Sequence, residues 1–173
     1  MGVATASFVG GGQSFELNAQ HGALDAIHAG VPADHSMEIL AGLAVVTQDW
    51  HPPGHISFAS RHGVAPFSSV ELSYGHQVLW PDHCVQGTPG ASFHSALDVA
   101  LVDHVVRKGA DRSVDSYSAF YDNDRRRDTG LSAYLEARGA EEVVVMGLAT
   151  DYCVRATVLD ACGSLLLEER PFV

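Results

Sequence analysis

The sequence predicts an α/β fold in which helices cover both faces of a mostly parallel sheet, giving a three-layer α/β/α arrangement. Apolar runs at residues 43–47, 102–107 and 143–146 predict buried strands, since strands covered on both faces are almost continuously apolar. Between the second and third runs, helical spacing begins at Leu131, and Gly139 provides a helix stop. This alternation of strand and helix favours parallel strands joined by right-handed crossovers.

A single domain is expected over residues 1–173, because the chain shows no internal repeat and no linker. A further helix is predicted at about 151–161, shortly after the third strand. Residues 55–97 are rich in His, Pro, Ser and Gly, and residues 109–128 are polar with aromatics. Both segments predict long ordered loops, which inside a compact domain are usually functional.

Composition narrows the classes of partner and location. The formal net charge of −11 argues against a nucleic-acid surface or an anionic membrane as partner. No apolar run approaches the roughly 20 residues of a membrane-spanning helix, and no secretion signal is recognisable. Three cysteines without such a signal fit a reducing cytoplasm. We therefore expect a cytoplasmic protein, monomeric or a small homo-oligomer, whose partner is a small molecule.

Chemically distinct side chains follow each of the three predicted strands. Asp49 and His51 come after the first strand, Lys108 after the second and Cys153 after the third. In open α/β sheets the ligand site lies beyond the carboxyl ends of the strands. We therefore expect these groups to meet in one site.

Lys108 and Cys153 are the candidate catalytic pair. Lys108 is the single lysine in a chain whose other basic side chains are arginines, which suggests a task for a compact ammonium with a movable pKa. Cys153 falls in the first turn of the predicted helix, where the dipole and the N–H groups favour a thiolate and can hold an oxyanion. The alternative is a cysteine that serves only as a small buried packing residue.

A cluster of imidazoles and a carboxylate predicts a metal site. Asp49, His51 and His55 have the spacing Asp-x-His-x-x-x-His, and His83 can complete the shell. Residues two apart on an extended segment point the same way, so Asp49 and His51 can share an ion. Zinc or iron suits these ligands, with manganese as a further possibility. The alternative is a set of loop histidines that bind nothing.

Four segments carry a family resemblance in their order and spacing. They comprise TQDWHPPGH at residues 47–55, LWPDHCVQG at 79–87, KG and DSYSAF within 108–120, and GLATDYCV at 147–154. With these segments the chain resembles bacterial nicotinamidases (pyrazinamidases) of the isochorismatase-like cysteine hydrolase superfamily. The resemblance extends from about residue 43 to 161, roughly two thirds of the chain.

The resemblance implies an isochorismatase-like hydrolase fold and a cysteine mechanism. Cys153 would attack the carboxamide carbon of nicotinamide, release ammonia and form a thioester that water hydrolyses to nicotinate. Lys108 would stabilise the thiolate. The N–H groups of Ala149 and Cys153 would form the oxyanion hole, with a cis peptide between Leu148 and Ala149.

The resemblance also implies a metal-assisted pocket for the pyridine ring. Asp49, His51 and His83 would bind the ion, and His55 is a ligand in some members. The ion, directly or through a water, would hold the pyridine nitrogen. The ring pocket would be lined by three aromatic residues, Phe8, Trp80 and Tyr117.

The ends of the chain depart from the family. The family's first strand ends in Asp-x-Gln-x-Asp-Phe, whose first aspartate is the general base, and alignment puts Val3 at that position. The match also stops after about Ala161, so the first and last strands are expected to be missing. General acid–base catalysis accelerates a reaction by roughly 10²–10⁴-fold. Weak or absent activity is therefore expected.

Two other functions stay open at this point. One is an inactive homologue that binds metal and nicotinamide without turnover. The other is a sister cysteine hydrolase acting on isochorismate or a carbamoyl compound. The Asp49, His51 and His83 set argues against the sister hydrolase, because those relatives generally lack the metal.

Overall fold

A computed structural model of the chain describes residues 4–10, 13–19, 43–93, 99–140, 143, 145 and 147–165, with only the backbone for the first two segments and for 101, 164 and 165. The strands are β1 (Ala4–Gly10), β2 (Gln13–Ala19), β3 (Leu43–Asp49), β4 (Ser69–Leu72), β5 (Gly75–Val78) and β6 (His104–Lys108). The α-helices are α1 (Ala59–His62), α2 (Leu131–Ala137) and α3 (Arg155–Leu165). Short 3₁₀ turns lie at Pro89–Ala91 and Val99–Leu101, and a π-helical turn at Thr150–Val154 leads into α3.

The main sheet has the strand order β2-β1-β3-β6. β3 and β6 pair in parallel, as predicted, with Asp49 opposite Lys108 at the carboxyl ends of the two strands. β1 and β2 form an antiparallel hairpin, and β1 also runs antiparallel to β3. The predicted α/β class is therefore confirmed, and the parallel pair β3–β6 carries Asp49 and Lys108.

The two edge strands that were expected to be missing differ in outcome. A strand does lie beside β3 near the start of the chain, but it is the antiparallel β1. A final strand would fall in residues 166–173, which lie outside the described residues. Of the predicted strand 143–146, Val144 and Met146 also lie outside, and the described Val143 and Val145 are in no strand.

The described core lies between the sheet and the helices. Val45 of β3 and Val106 of β6 pack with Phe120 and with Leu131 and Leu135 of α2. Leu131 and Leu135 are one helical turn apart, so both face the sheet, and each such buried side chain stabilises the fold by about 1.5–3 kcal/mol. As predicted, the helix stops at the glycine that follows it: Gly139 has a φ of +67°, which suits glycine.

The segment 55–97 is more structured than the predicted loop. It contains α1, and Ser69–Leu72 pairs with Gly75–Val78 in a four-residue hairpin. Ser69–Leu72 does alternate polar and apolar residues, but over only four positions, and Gly75–Val78 shows no such alternation. Among the described residues, no helix has the length and apolar character needed to cross a membrane.

Candidate active site

Lys108 is the centre of the site. Its side chain is buried at the carboxyl end of β6, and its Nζ atom donates to the backbone carbonyl of Ser116 at 3.1 Å. The same Nζ atom forms an ion pair with Asp49 of β3 and lies 3.3 Å from the Sγ atom of Cys153. The parallel register of β3 and β6 makes the contact with Asp49 possible. The structure thus brings together the three groups that follow the predicted strands.

Asp49 and Lys108 hold each other in the charged state. Burial alone would raise the pKa of Asp49, but the Lys108 ammonium, helped by His51 and His83, holds it below its ordinary value. Burial alone would lower the pKa of Lys108, but the Asp49 carboxylate raises it above its ordinary value. Charge-assisted hydrogen bonds of this kind are among the stronger ones in proteins.

Cys153 lies in the π-helical turn, at the entry to α3. Burial raises the pKa of its thiol to about 12, although the Lys108 ammonium acts in the opposite direction. This raised pKa runs against the thiolate that the helix position and Lys108 were expected to favour. Desolvation, together with the negative charge of Asp49, outweighs the ammonium, so the thiol must lose its proton during any reaction.

The backbone before Cys153 has the geometry that the resemblance implies. The peptide between Leu148 and Ala149 is cis. The carbonyl oxygen of Ala149 accepts from the N–H groups of Tyr152 at 3.1 Å and Val154 at 3.2 Å. Ala149 and Cys153 both line the same cavity, so an oxyanion hole formed by their N–H groups would open into it.

Two histidines present one ring nitrogen each for a ligand. The Nδ1 atom of His51 lies 2.9 Å from the carbonyl of Gly109, and that of His83 lies 2.8 Å from the carbonyl of Pro81. Because a carbonyl can only accept, each Nδ1 carries a proton, and in the neutral form of either ring the Nε2 atom has the lone pair that a metal ion needs. A backbone carbonyl bound to the second nitrogen is the usual support of a metal-binding histidine.

The candidate ligands fall into two adjoining groups. The ligand atoms of Asp49, His83 and Cys84 all lie within 4.8 Å of one another, and so do those of His51, His55 and Asp115. Cys84 and Asp115 were not expected from the sequence. This mixture of imidazole, carboxylate and thiol donors fits a divalent metal ion.

His55 differs from the other two histidines, because the protein uses both of its ring nitrogens. Its Nε2 atom lies 3.2 Å from the carbonyl of Val114 and must donate to it. Its Nδ1 atom therefore accepts, and its partner is the hydroxyl of Ser57 at 2.8 Å. Burial lowers the pKa of His55 to about 4, and its ring stacks on His51 with centroids 4.3 Å apart. These contacts make His55 a support for His51.

Gly109 allows His51 to approach the end of β6. Its φ is +59°, and a Cβ atom at this position would lie only 2.6 Å from the Nδ1 atom of His51. Any other residue would therefore be strained and would displace the imidazole. The pair Lys108-Gly109 thus serves both the cysteine and the histidines.

Aromatic side chains line the cavity beside the cysteine. The Nε1 atom of Trp80 donates to the hydroxyl of Tyr117 at 3.3 Å, and the ring of Trp80 meets that of Tyr152 edge to face at 4.8 Å. The cavity has a volume of about 400 Å³, the size of a small-molecule site. It is lined by Asp49, His51, Phe67, Trp80, Pro81, Asp82, His83, Lys108, Asp115, Ser116, Tyr117, Leu148, Ala149, Tyr152 and Cys153.

Sequence reasoning missed part of this lining and misplaced one residue. Leu148, Tyr152 and Asp115 lie inside matched segments, so their position next to assigned residues could have revealed them. Phe67 lies outside the matched segments, so nothing in the sequence indicated that it lines the cavity. Phe8 was assigned to the ring pocket, but Ser7 pairs with Val45 and Val9 with Leu43. This register puts Phe8 at the amino end of β3, away from Asp49, and its side chain lies outside the described residues.

Known protein sequences similar to this chain point to one family. Residues 56–164 match the isochorismatase domain family. A nicotinamidase from Acinetobacter baylyi is 50% identical over 132 residues, which cover 76% of this chain and 62% of that protein. A nicotinamidase from Escherichia coli is 51% identical over 117 residues, which cover 68% of this chain and 55% of that protein. The chain thus spans 55–62% of the length of these two curated relatives.

Solved structures lead to the same family. An Acinetobacter baumanii nicotinamidase/pyrazinamidase is 52% identical with a TM-score of 0.68, covering 70% of this chain and 59% of that chain. PnC1 from L. infantum in complex with nicotinate is 38% identical with a TM-score of 0.65, covering 82% and 63%. A Pyrococcus horikoshii pyrazinamidase in complex with zinc is 33% identical with a TM-score of 0.57, covering 82% and 64%. The match over more than half of its length shows that the chain belongs to the isochorismatase domain family.

Proposed function

We propose that the protein is an amide hydrolase of the nicotinamidase type, which converts nicotinamide, and also pyrazinamide, to the acid and ammonia. The observation that carries this proposal is the contact of one buried ammonium, Lys108, with both Asp49 and the thiol of Cys153. These groups lie in a small cavity with aromatic walls. The nicotinamidases that the chain resembles at about 50% identity support the same substrate class.

Cys153 is the proposed nucleophile. Its sulfur attacks the carboxamide carbon, and the thiol proton passes to the leaving nitrogen, which departs as ammonia when the C–N bond breaks. Water then adds to the thioester, and cleavage of the C–S bond returns the thiol and releases the carboxylic acid. The N–H groups of Ala149 and Cys153 are proposed to hold the oxygen that becomes negative in both steps.

Lys108 is proposed to stabilise the thiolate as it forms. Its ammonium lies 3.3 Å from the sulfur, so it lowers the free energy of the charged form where burial raises it. Asp49 keeps Lys108 protonated through its Oδ1 atom, which leaves its Oδ2 atom for a metal ion. By the resemblance, the family's general base would align with Val3, which lies outside the described residues. We therefore propose slow turnover, since no separate carboxylate is assigned to move the proton.

Asp49, His51 and His83 are the proposed ligands of a divalent ion, zinc or iron in the first instance and manganese as a further candidate. When bound, such an ion would orient the pyridine nitrogen of the substrate. The zinc complex of the Pyrococcus horikoshii relative supports this assignment. His55 is proposed to fix the ring of His51 and to serve as a ligand only if its bond to Val114 breaks.

The proposed partner of the site is thus one small aromatic amide, and the nicotinate complex of the L. infantum relative supports a pyridine ring in this pocket. We also propose that the protein is cytoplasmic and that it is a monomer or a small homo-oligomer. The same proposal includes the lack of a nucleic-acid or membrane partner, which the net charge of −11 supports.

A second candidate is a homologue that binds nicotinamide without turning it over. The raised pKa of the Cys153 thiol, about 12, favours it, because a thiol that keeps its proton is a poor nucleophile. A sister hydrolase acting on isochorismate or a carbamoyl compound is less well supported, because those relatives generally lack the metal that Asp49, His51 and His83 are proposed to bind.

Ammonia release from nicotinamide, with zinc or iron supplied, tests the proposal. We expect slow but measurable release that Cys153→Ala abolishes. Cys162→Ala is the matched control, because Cys162 is an exposed cysteine on α3, and it should leave the rate unchanged. Nicotinamide binding by calorimetry without any ammonia would support the inactive homologue. Equal release by Cys153→Ala and wild type would exclude the cysteine mechanism.

A further inference from the structure

Phe67 lies at the mouth of the cavity with most of its ring in solvent. It sits in the loop between α1 and β4, it lines the cavity, and it is 71% exposed. A single exposed apolar residue is ordinary on a protein surface. A phenylalanine so exposed contributes little to the core, however, so its place here is not explained by packing stability.

The backbone of Phe67 is in the left-handed region. Its φ is +68°, which is a true outlier for a bulky residue other than glycine. The N–H of Phe67 donates to the carbonyl of Leu79 at 2.6 Å, and the N–H of Leu79 donates to the carbonyl of Ser68 at 2.8 Å. These two bonds fasten the loop to the segment that precedes Trp80. Strain held in this way is found most often at functional sites.

The ring of Phe67 extends the aromatic wall of the cavity. It meets the ring of Trp80 edge to face with centroids 6.0 Å apart. The ring of Trp80 in turn meets that of Tyr152 edge to face, with centroids 4.8 Å apart. Tyr152 immediately precedes Cys153 in the chain. Phe67, Trp80 and Tyr152 therefore form a row of rings that runs from the mouth of the cavity to the turn that carries the cysteine.

We propose that Phe67 is a specificity-determining residue, which covers the outer side of the ring pocket and favours flat aromatic amides over aliphatic ones. This inference rests on the proposed function and names one further residue that sets its substrate class. The chain keeps a strained, exposed phenylalanine because its ring contacts the bound ligand and steadies Trp80. Phe67 takes no part in bond making, so its removal should weaken ligand binding and leave the chemical step nearly unchanged.

Glycine at this position separates the role in binding from the role in folding. Phe67→Gly removes the ring and also relieves the positive φ, whereas Phe67→Ala removes the ring and keeps the strain. Val64→Ala is the matched control, since Val64 is an exposed apolar residue nearby that is not among the residues lining the cavity. Thermal unfolding and calorimetric binding of nicotinate and nicotinamide are measured for all four proteins, with isobutyramide as the aliphatic amide.

We expect Phe67→Gly to melt roughly 2–4 °C above the wild type while binding nicotinate about three- to tenfold more weakly. Phe67→Ala should show the same loss of binding without the gain in melting temperature. The preference for nicotinamide over isobutyramide should shrink by a similar factor in both, and kcat should stay within about twofold wherever turnover is measurable. Val64→Ala should match the wild type in binding.

Two results would overturn the inference. The first would overturn only the role of Phe67, and the second would overturn the proposed function as well. If the wild type binds nicotinate and Phe67→Gly binds it equally well, Phe67 has no role in recognition and the proposed function stands. If the wild type binds none of the pyridine ligands, with zinc or iron supplied, the proposed function fails and this inference fails with it.

Discussion

The Nζ atom of Lys108 lies 3.3 Å from the Sγ atom of Cys153, across 45 residues of sequence. The strand register that pairs Asp49 with Lys108 fixes the ammonium, and the helical turn that opens at Thr150 fixes the sulfur. Each residue alone has an ordinary explanation. Their contact inside a histidine-lined cavity has no such explanation.

Removal of the Lys108 charge should destabilise the protein strongly. Lys108→Met has a similar volume but leaves the buried Asp49 carboxylate without its cation, which typically costs about 3–5 kcal/mol in unfolding free energy. The double variant Asp49→Asn/Lys108→Met should recover most of this loss, because no unpaired charge remains. Urea unfolding of the wild type, both single variants and the double variant measures the coupling. Additive losses would show that the ion pair does not form.

The reactivity of Cys153 should rise with pH across the whole neutral and alkaline range. Burial raises the pKa of its thiol to about 12, so the thiolate is a small fraction at pH 7 and grows about tenfold per pH unit. Lys108→Met should slow alkylation further, because it removes the group that lowers this pKa. Peptide mass spectrometry after iodoacetamide treatment at several pH values measures Cys153. A plateau in its alkylation rate near pH 7 would contradict the raised pKa.

Two glycine-to-alanine variants should separate backbone strain from displacement of a ligand. Gly109 and Gly63 both have positive φ, at +59° and +66°, but only Gly109 would place its Cβ against His51, since Gly63 has open space. Gly63→Ala should cost about 1 kcal/mol from conformation alone. Gly109→Ala should cost more and should weaken zinc binding at least about tenfold, because it displaces His51, a proposed ligand. Equal zinc affinity in the two variants would show that His51 does not bind the ion.

Loss of His83 should remove the metal ion. His83→Ala deletes an imidazole whose Nε2 lone pair is available, so zinc content after dialysis should fall to the background level. His76→Ala is the control, because His76 is an exposed histidine of β5 that pairs with Glu71. Elemental analysis and metal titration give the readout. Full zinc content in the His83 variant would exclude it from the shell.

The sequence predicted the parts of the fold that rest on continuous apolar runs. β3, β6 and α2 were found near their predicted places because Val45, Val106 and Leu135 are buried in one core. The hairpin β4–β5 was missed, although Ser69–Leu72 does alternate polar and apolar residues. The alternation covers only four residues, and Gly75–Val78, the partner strand, does not repeat it. The antiparallel register of β1 was also unforeseen, and it moved Phe8 away from the cavity.

The candidate site was predictable where chemistry and position coincided. Lys108, Asp49 and Cys153 each follow a predicted strand, and general rules for α/β sheets place such residues together. Phe67 could not be foreseen, because its role depends on a loop conformation that no sequence pattern announces. The raised pKa of Cys153 was also not foreseen, since the desolvation that causes it depends on the folded surroundings of the thiol.

Intact-protein mass spectrometry of samples quenched in acid during incubation with nicotinamide and zinc follows the chemistry at Cys153 itself. We predict a nicotinoyl adduct on Cys153 that is detectable in the quenched samples. The adduct should be missing from Cys153→Ala, strongly reduced in Lys108→Met and retained in Cys162→Ala. Ammonia release without any adduct, undiminished in Cys153→Ala, would contradict a thiol and an ammonium acting together in one cavity.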